Sequence, residues 1–394
     1  MSIKLRLPIP RVFIFLAALP ISISGCAQSS GSPGGASSRI VPAIRSPGSA
    51  AASDPIKHIV IIIQENRSFD NIFAGYPGAN APTSGYMHDG TLVPLHSVNF
   101  KGLDIAHGWS PSLVDYDSGK MDGFDLSNPY APKYPYSYVD RKDVKPYWTM
   151  AQKYALADNM FPTEMGASFT AHMDLVAGTS FLNSTLALAD VPSNVPWGCD
   201  APASTTTPTV DNKHNYKPHG PYPCFTQFTT IADTLDAAGV TWKYYAPAIA
   251  KDWGGKTFSI FDAISNIRNG PDWQNDVISP QWTILNDAAT TGGLPAVSWV
   301  VPDFADSDHP GTNSDTGPSW VAAIVNAVGQ GPSWDSTVVI VLWDDWGGWY
   351  DNVPPPQLDF VGLAIRVPCI IISPYTKARY VSHTQYEYGT ILKF

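Results

Sequence analysis

The chain alternates short, almost wholly apolar runs with longer stretches in which apolar residues recur at helical spacing. The apolar runs cover residues 58–63, 240–245, 296–301, 337–343 and 367–372. They are rich in β-branched and aromatic residues, the pattern of strands buried on both faces. Between them, residues 147–160, 170–180, 230–239 and 319–331 read as helices. Helices alternating with fully apolar strands predict an α/β fold, a mostly parallel sheet with helices on both faces. Residues 76–146 and 184–228 show no clear period and read as long loop insertions over one edge of that sheet. No boundary divides residues 54–394, so one large domain is expected there.

The first 26 residues stand apart. Lys4, Arg6 and Arg11 form a basic start, and "VFIFLAALPISIS" is an apolar stretch too short for a comfortable membrane span. It ends in "ISGC", which reads as a lipoprotein-type signal whose Cys26 would carry lipid; simple signal cleavage nearby is the plainer reading. Both take the protein out of the cytoplasm. Residues 27–53, rich in Gly, Ser, Pro and Ala, read as a flexible linker. With a net charge of −10 and only 15% charged residues, the chain lacks the basic footprint of a nucleic-acid binder. In an oxidising compartment, Cys199 and Cys224 are expected to staple the polar loop between them. A zinc site made by these two with His214 or His219 is the alternative, and Cys369 reads as a buried apolar thiol.

Polar groups follow the apolar runs directly. Glu65, Asn66 and Arg67 come after the first, where ligands bind in open α/β sheets. Asp344 and Asp345 follow 337–343 and open into Gly347-Gly348. Adjacent carboxylates repel unless a cation or hydrogen bonds compensate, and a divalent metal is one natural solution. After 296–301 come Asp303, Asp306, Asp308 and His309, while His107, Lys120 and Asp122 lie in the early insertion. Ser168 precedes a helical stretch and has two readings. It is either a helix cap or a nucleophile whose phosphoryl target sits over the helix N-terminus.

Taken together, "IVIIIQENRSFDNIF", "HGWS", "GKMDGF", "GASFTAHMDLVAG", "SDHP", "VLWDDWGGWYDNVPPP" and "RVPCIIISPYTKARYVSHTQYEYGTILKF" resemble, in order, the blocks of a bacterial phosphoesterase family. The family comprises acid phosphatases and phospholipases C of the alkaline-phosphatase-like superfamily. The resemblance implies a divalent metal held by Glu65, Asn66, Ser168, Asp344 and Asp345. It makes Ser168 the nucleophile, and it places His309 and His107 near the leaving group. The chain departs from the family pattern at Thr170-Ala171, where Pro-Asn is usual, and at Asn352, where His is frequent. It also stops at "ILKF", inside a helix-like stretch, where family members continue.

The implied reaction is phosphoryl transfer through a phosphoserine, with Glu65 orienting Asn66 or the metal shell. The expected substrate is a phosphate ester, as for an acid phosphatase. A phospholipase C cleaving phospholipid head groups is the alternative, and an inactive surface-binding lipoprotein the second. A sulfatase is disfavoured because "SFTAH" lacks the C/S-x-P-x-R modification motif. Metal identity and oligomeric state are not encoded in any motif.

Overall fold

The computed structural model describes residues 55–394. The signal segment, Cys26 and the linker 27–53 lie outside the described residues. A nine-stranded sheet organises the domain. Its strands are β1 His58–Gln64, β2 Ala155–Phe161, β3 Trp242–Tyr245, β4 Val277–Ile278, β5 Val297–Val300, β6 Thr337–Trp343, β7 Val367–Ile372, β8 Tyr380–Ser382 and β9 Tyr386–Glu387. Their order is β4-β3-β5-β1-β6-β7-β2-β8, with β9 also paired to β2. All pairings are parallel except those of β7, which is antiparallel to both β6 and β2.

The apolar runs become strands because both faces of the sheet are covered. Ile59 and Ile61 of β1 share a face with Val297 and Trp299 of β5, against Ile231, Leu235 and Ile391. Those last three lie on helices α5 (Ile231–Ala238) and α8 (Tyr388–Lys393). Helix α4, Ser168–Ala177, packs with them. On the opposite face, helices α3 (Lys145–Lys153) and α7 (Gly317–Gln330) pack together, and Tyr147 of α3 meets the Trp343 ring edge-on at 4.8 Å. The middle of β1 and all of β6 are buried, so polar alternation has no place in them.

Two expectations are corrected. Residues 147–160 are not one helix: α3 ends at Lys153 and the chain turns at Tyr154 into β2. The run Ala155–Phe161 is built of helix-compatible residues, and its pairing with β7, β8 and β9 overrides that preference. Residues 367–372 form a strand, but it runs against its neighbours. Burial on both faces makes a run apolar whichever way it points.

The insertions carry small sheets of their own. Within 184–228, Leu186–Leu188, Thr209–Asp211 and Tyr216–Lys217 join Phe181–Asn183 in a four-stranded sheet. Cys199 and Cys224 are disulfide-bonded across this region. Both thiolates are therefore consumed, which removes the zinc alternative. Cys369 is a free, buried thiol as expected. No helix among the described residues is long and apolar enough to cross a membrane.

The early insertion is tied to the end of β6 through a buried carboxyl. Asp115, on helix α2 (Trp109–Tyr116), accepts hydrogen bonds from Ser127 Oγ at 2.5 Å and from Trp346 Nε1 at 3.0 Å. Burial pushes this carboxyl up to about 8, against those two hydrogen bonds, which pull it down. The folded protein thus holds a proton that the unfolded chain releases near pH ~4. Stability from this group is complete below that pH and declines as pH rises towards 8, by at most about 1.4 kcal/mol per unit. Urea titrations between pH 5 and 8 should show a shallower decline for Asp115→Asn than for the parent. Equal slopes would mean that Asp115 does not retain its proton.

Candidate active site

Strands β1 and β6 pair in register up to Gln64 opposite Trp343. The residues that follow therefore leave the sheet side by side. Asp344 N donates to Gln64 O at 2.9 Å, and Asn66 N donates to Asp344 Oδ1 at 2.9 Å. Asp345 N adds a second bond to the same Oδ1 at 2.7 Å, and Gly347 N reaches Asp345 Oδ1 at 2.8 Å. Asn66 sits at φ 55°, a left-handed conformation that Asn tolerates better than most residues. Gly347 is required here: a Cβ would lie 2.2 Å from the Asn66 carbonyl oxygen, and its own φ is +64°. From α8, Tyr388 OH donates to the carbonyls of Trp343 and Asp344 at 2.5 and 2.6 Å, pinning the exit of β6.

Helix α4 brings the remaining groups. Its N-cap is Ala167, and Ser168 makes no capping bond. The Ser168 hydroxyl donates instead to Asp345 Oδ2 at 3.0 Å. The capping alternative is therefore set aside. One turn later on the same helix face, His172 Nε2 lies 2.9 Å from Glu65 Oε1 and 3.7 Å from Asp344 Oδ2. Its ring stacks on Phe258 at 5.9 Å.

Glu65, Asn66, His172, Asp344 and Asp345 are all fully buried. Burial, then the Asp344 charge, holds the Glu65 carboxyl well above its ordinary range, and the same two causes raise Asp345. Burial lowers the His172 imidazole despite Asp344 nearby. Several buried acceptors have no hydrogen-bond donor: Glu65 Oε2, Asn66 Oδ1 and Asp344 Oδ2. Three unsatisfied oxygens beside crowded carboxylates are costly without a cation. Glu65, His172 and Asp344 place donor atoms within 4.8 Å of one another. This oxygen-rich set with one imidazole suits a hard or borderline divalent ion.

A second group lines the mouth. Asp104, His107 and His309 also bring donor atoms within 4.8 Å. The two imidazoles lie 5.9 Å apart, centroid to centroid. His107 Nδ1–H donates to Ile105 O at 2.5 Å, and its Nε2 accepts from Asn66 Nδ2 at 2.8 Å. Burial pulls the His107 imidazole down, but the charges of Asp345, Asp104 and Asp344 and the bond to Ile105 O together leave it raised. His309 Nδ1–H donates to Pro310 O at 2.5 Å, and burial lowers its imidazole. These histidines and Ser168 open on a cleft of about 390 Å³ walled by Val191, Trp197, Trp253, Phe258 and Phe304.

Not every sequence candidate reaches this site. Lys120 pairs with Asp117 at the surface, at 2.6 Å. Asp122 does not line the cleft, and Asp303 accepts bonds from Gln281 Nε2 and Asp306 N. Asp308 turns inward, where Tyr147 OH and Trp343 Nε1 both donate to its Oδ2. His172 was not singled out from the sequence, although its spacing from Ser168 puts both on one helix face.

A buried oxygen-donor cage at the ends of two central strands, with a serine hydroxyl and two histidines beside it, is suited to the hydrolysis of phosphoric esters. The chain belongs to the Phosphoesterase family, whose profile matches residues 56–394. Among characterised proteins it is similar to phospholipase C B of Mycobacterium tuberculosis, 22% identical over 86% of this chain and 72% of that one. It is also similar to the non-hemolytic phospholipase C of Pseudomonas aeruginosa, 23% identical over 86% of this chain and 53% of that one. Non-specific phospholipase C3 of Arabidopsis thaliana is 23% identical over 88% of this chain and 70% of that one. Among solved structures, a phosphonate monoester hydrolase from Silicibacter pomeroyi superposes with a TM-score of 0.31 at 10% identity, over 63% of this chain and 67% of that one.

If the buried oxygens share a cation, Asp345→Asn should lose most bound metal and most activity together. Elemental analysis beside an aryl phosphate assay checks this. Full metal content with parental turnover would remove Asp345 from the cage.

Proposed function

We propose that the protein is a metal-dependent phosphoesterase that works through a phosphoserine at Ser168. The observation that carries this reading is the Ser168 hydroxyl, 3.0 Å from Asp345 Oδ2 and beside three donorless buried oxygens. Glu65, Asn66, Asp344 and Asp345, with the Ser168 oxygen, would hold the metal, and His172 is a further candidate ligand. Such an ion lowers the pKa of a bound hydroxyl and polarises a phosphoryl oxygen.

Ser168 Oγ attacks phosphorus in line while its proton passes to Asp345 Oδ2. The bond from phosphorus to the departing oxygen breaks, and that oxygen takes the Nε2 proton of His309 in its imidazolium form, a form that burial shifts to lower pH, while Nδ1–H stays on Pro310 O. Water then attacks the phosphoserine and gives a proton to His309, and Ser168 leaves with the proton held by Asp345. His309 is the better donor of the two histidines, because His107 Nε2 is engaged by Asn66. His107 is read as orienting Asn66 and facing the phosphoryl oxygens. The N-terminus of α4 adds peptide N–H groups that favour the same anion.

An acid-phosphatase-like action on phosphomonoesters and a phospholipase C action are both compatible with this chemistry. The second reading is supported by the aromatic wall of the cleft and by the names of the relatives. Among the described residues lining the cleft none is Lys or Arg, so an apolar substituent suits the wall better than a second anionic group. Export belongs to the same reading, with Cys26 as a possible lipid anchor and 27–53 as tether.

The test compares Ser168→Ala and Ser168→Thr on an aryl phosphate and on phosphatidylcholine, each with and without chelator. Ala should cost several powers of ten, as loss of a nucleophile does. Thr, which keeps a hydroxyl, should retain partial turnover, and chelator should abolish activity on whichever substrate is preferred. Near-parental turnover of the Ala variant would end the nucleophile assignment.

A further inference from the structure

The run Gln64-Glu65-Asn66-Arg67 divides between two tasks. Glu65 and Asn66 face the donor cage, whereas Gln64 and Arg67 point away from it. Both outer residues are fully buried, and both grip the segment that carries His309. Gln64 Nε2 donates to Asp306 O at 3.0 Å, and Gln64 Oε1 accepts from Asp308 N at 2.9 Å. Arg67 Nε donates to Asp308 O at 2.9 Å. With the bonds from Tyr147 and Trp343 to its carboxylate, Asp308 is fixed through N–H, carbonyl and side chain alike. Its neighbour His309 is then directed into the cleft.

Arg67 reaches the other histidine segment as well. One terminal nitrogen donates to Phe100 O at 3.3 Å, at the start of the stretch that leads to Asp104 and His107. The other terminal nitrogen donates to Asn71 Oδ1 at 3.3 Å. The guanidinium lies 5.0 Å from the Phe100 ring and 5.1 Å from the Trp349 ring, so cation–π contacts and carbonyls surround it. A planar fork with five donors serves this geometry, and a lysine would not.

We propose that Gln64 and Arg67 are positioning residues that lock His309 over the departing oxygen and set it in register with Ser168. The inference rests on the reading of His309 as proton donor. Position matters because a general acid contributes only when it lies within hydrogen-bond reach of the oxygen it protonates. The inner and outer pairs share one strand exit, so the clamp ties the acid to the cage through four consecutive residues.

The experiment measures turnover of an aryl phosphate with a good leaving group and of an alkyl phosphate that needs protonation. It uses Gln64→Leu, Gln64→Glu, Arg67→Lys and His309→Ala, with bound metal measured in each. A displaced acid lowers the ratio of alkyl to aryl turnover, by about 10²-fold where the acid is lost outright. The clamp variants should lower that ratio in the same sense as His309→Ala, with metal content retained. Gln64→Glu has the same length and keeps the acceptor for Asp308 N, so one clamp variant remains informative if Arg67→Lys does not fold. Equal losses on both substrates, or metal loss in step with activity, would make the clamp merely structural and overturn the proposal. An unchanged ratio would overturn it too. If His309→Ala leaves the ratio unchanged, the acid assignment itself falls, a different failure from a His309 effect that the clamp variants do not share.

Discussion

Burying several carboxylates at one point is the constraint on which the rest of this structure turns. Glu65, Asp344 and Asp345 converge with no Lys or Arg side chain in ion-pair contact with any of them among the described residues. Each raises the energy of ionising its neighbours, and burial removes the water that would screen them. The backbone supplies partial relief through the N–H groups of Asn66, Asp345 and Gly347. These donors satisfy one oxygen of each aspartate and leave other acceptors open, the arrangement expected where a bound ion completes the shell. Binding of an ion here would therefore be linked to folding, since whatever neutralises the cage in the native state also stabilises it.

The sheet makes that concentration possible. Parallel neighbours β1 and β6 end at the same level, so two strand exits deliver four polar residues to one place. The period of two along a strand then separates functions by face. Odd-numbered positions of β1 look towards α5 and α8, and Glu65 continues in their direction to meet His172. Gln64 looks the other way, towards Trp343, Tyr147 and Asp308. The left-handed turn at Asn66 returns Arg67 to that second side. One strand end thus reaches helix α4 on one face and the His309 segment on the other.

Much of this was legible in the sequence, for reasons that differ by element. The five apolar runs are strands because burial on both faces forbids polar residues, and the Asp344-Asp345 and Glu65-Asn66 pairs stood out directly after them. The direction of β7 was not legible, because side chains in a doubly covered strand carry no sign of polarity. Strand β2 was hidden because Ala155, Leu156, Ala157 and Met160 suit a helix equally well, and only partners distant in sequence make it a strand. His172 was obscured by the departure from the family pattern just before it, although a histidine one turn after a candidate nucleophile is a readable signal. Asp308 looked like a site residue because it neighbours His309. Asp308 bonds inward to Tyr147 and Trp343, whereas His309 lines the cleft.

The cleft joins a polar floor to an apolar wall, and the two do different work. In the proposed reaction the carboxylates, the Ser168 hydroxyl and the N-terminus of α4 would act on the phosphoryl group that every substrate of this class shares. Trp197, Trp253, Phe258 and Phe304 line the part of the cleft that would face what varies among them. Burial of a substituent against that wall contributes to catalysis only if it also draws the ester oxygen into line with Ser168 and His309. Phe258 connects the two regions, since it both lines the wall and stacks on His172. A substituent pressing on Phe258 therefore presses on a residue of the cage. Through that ring, the proposed reaction would tie the fit of the departing group to the position of His172 beside Glu65 and Asp344.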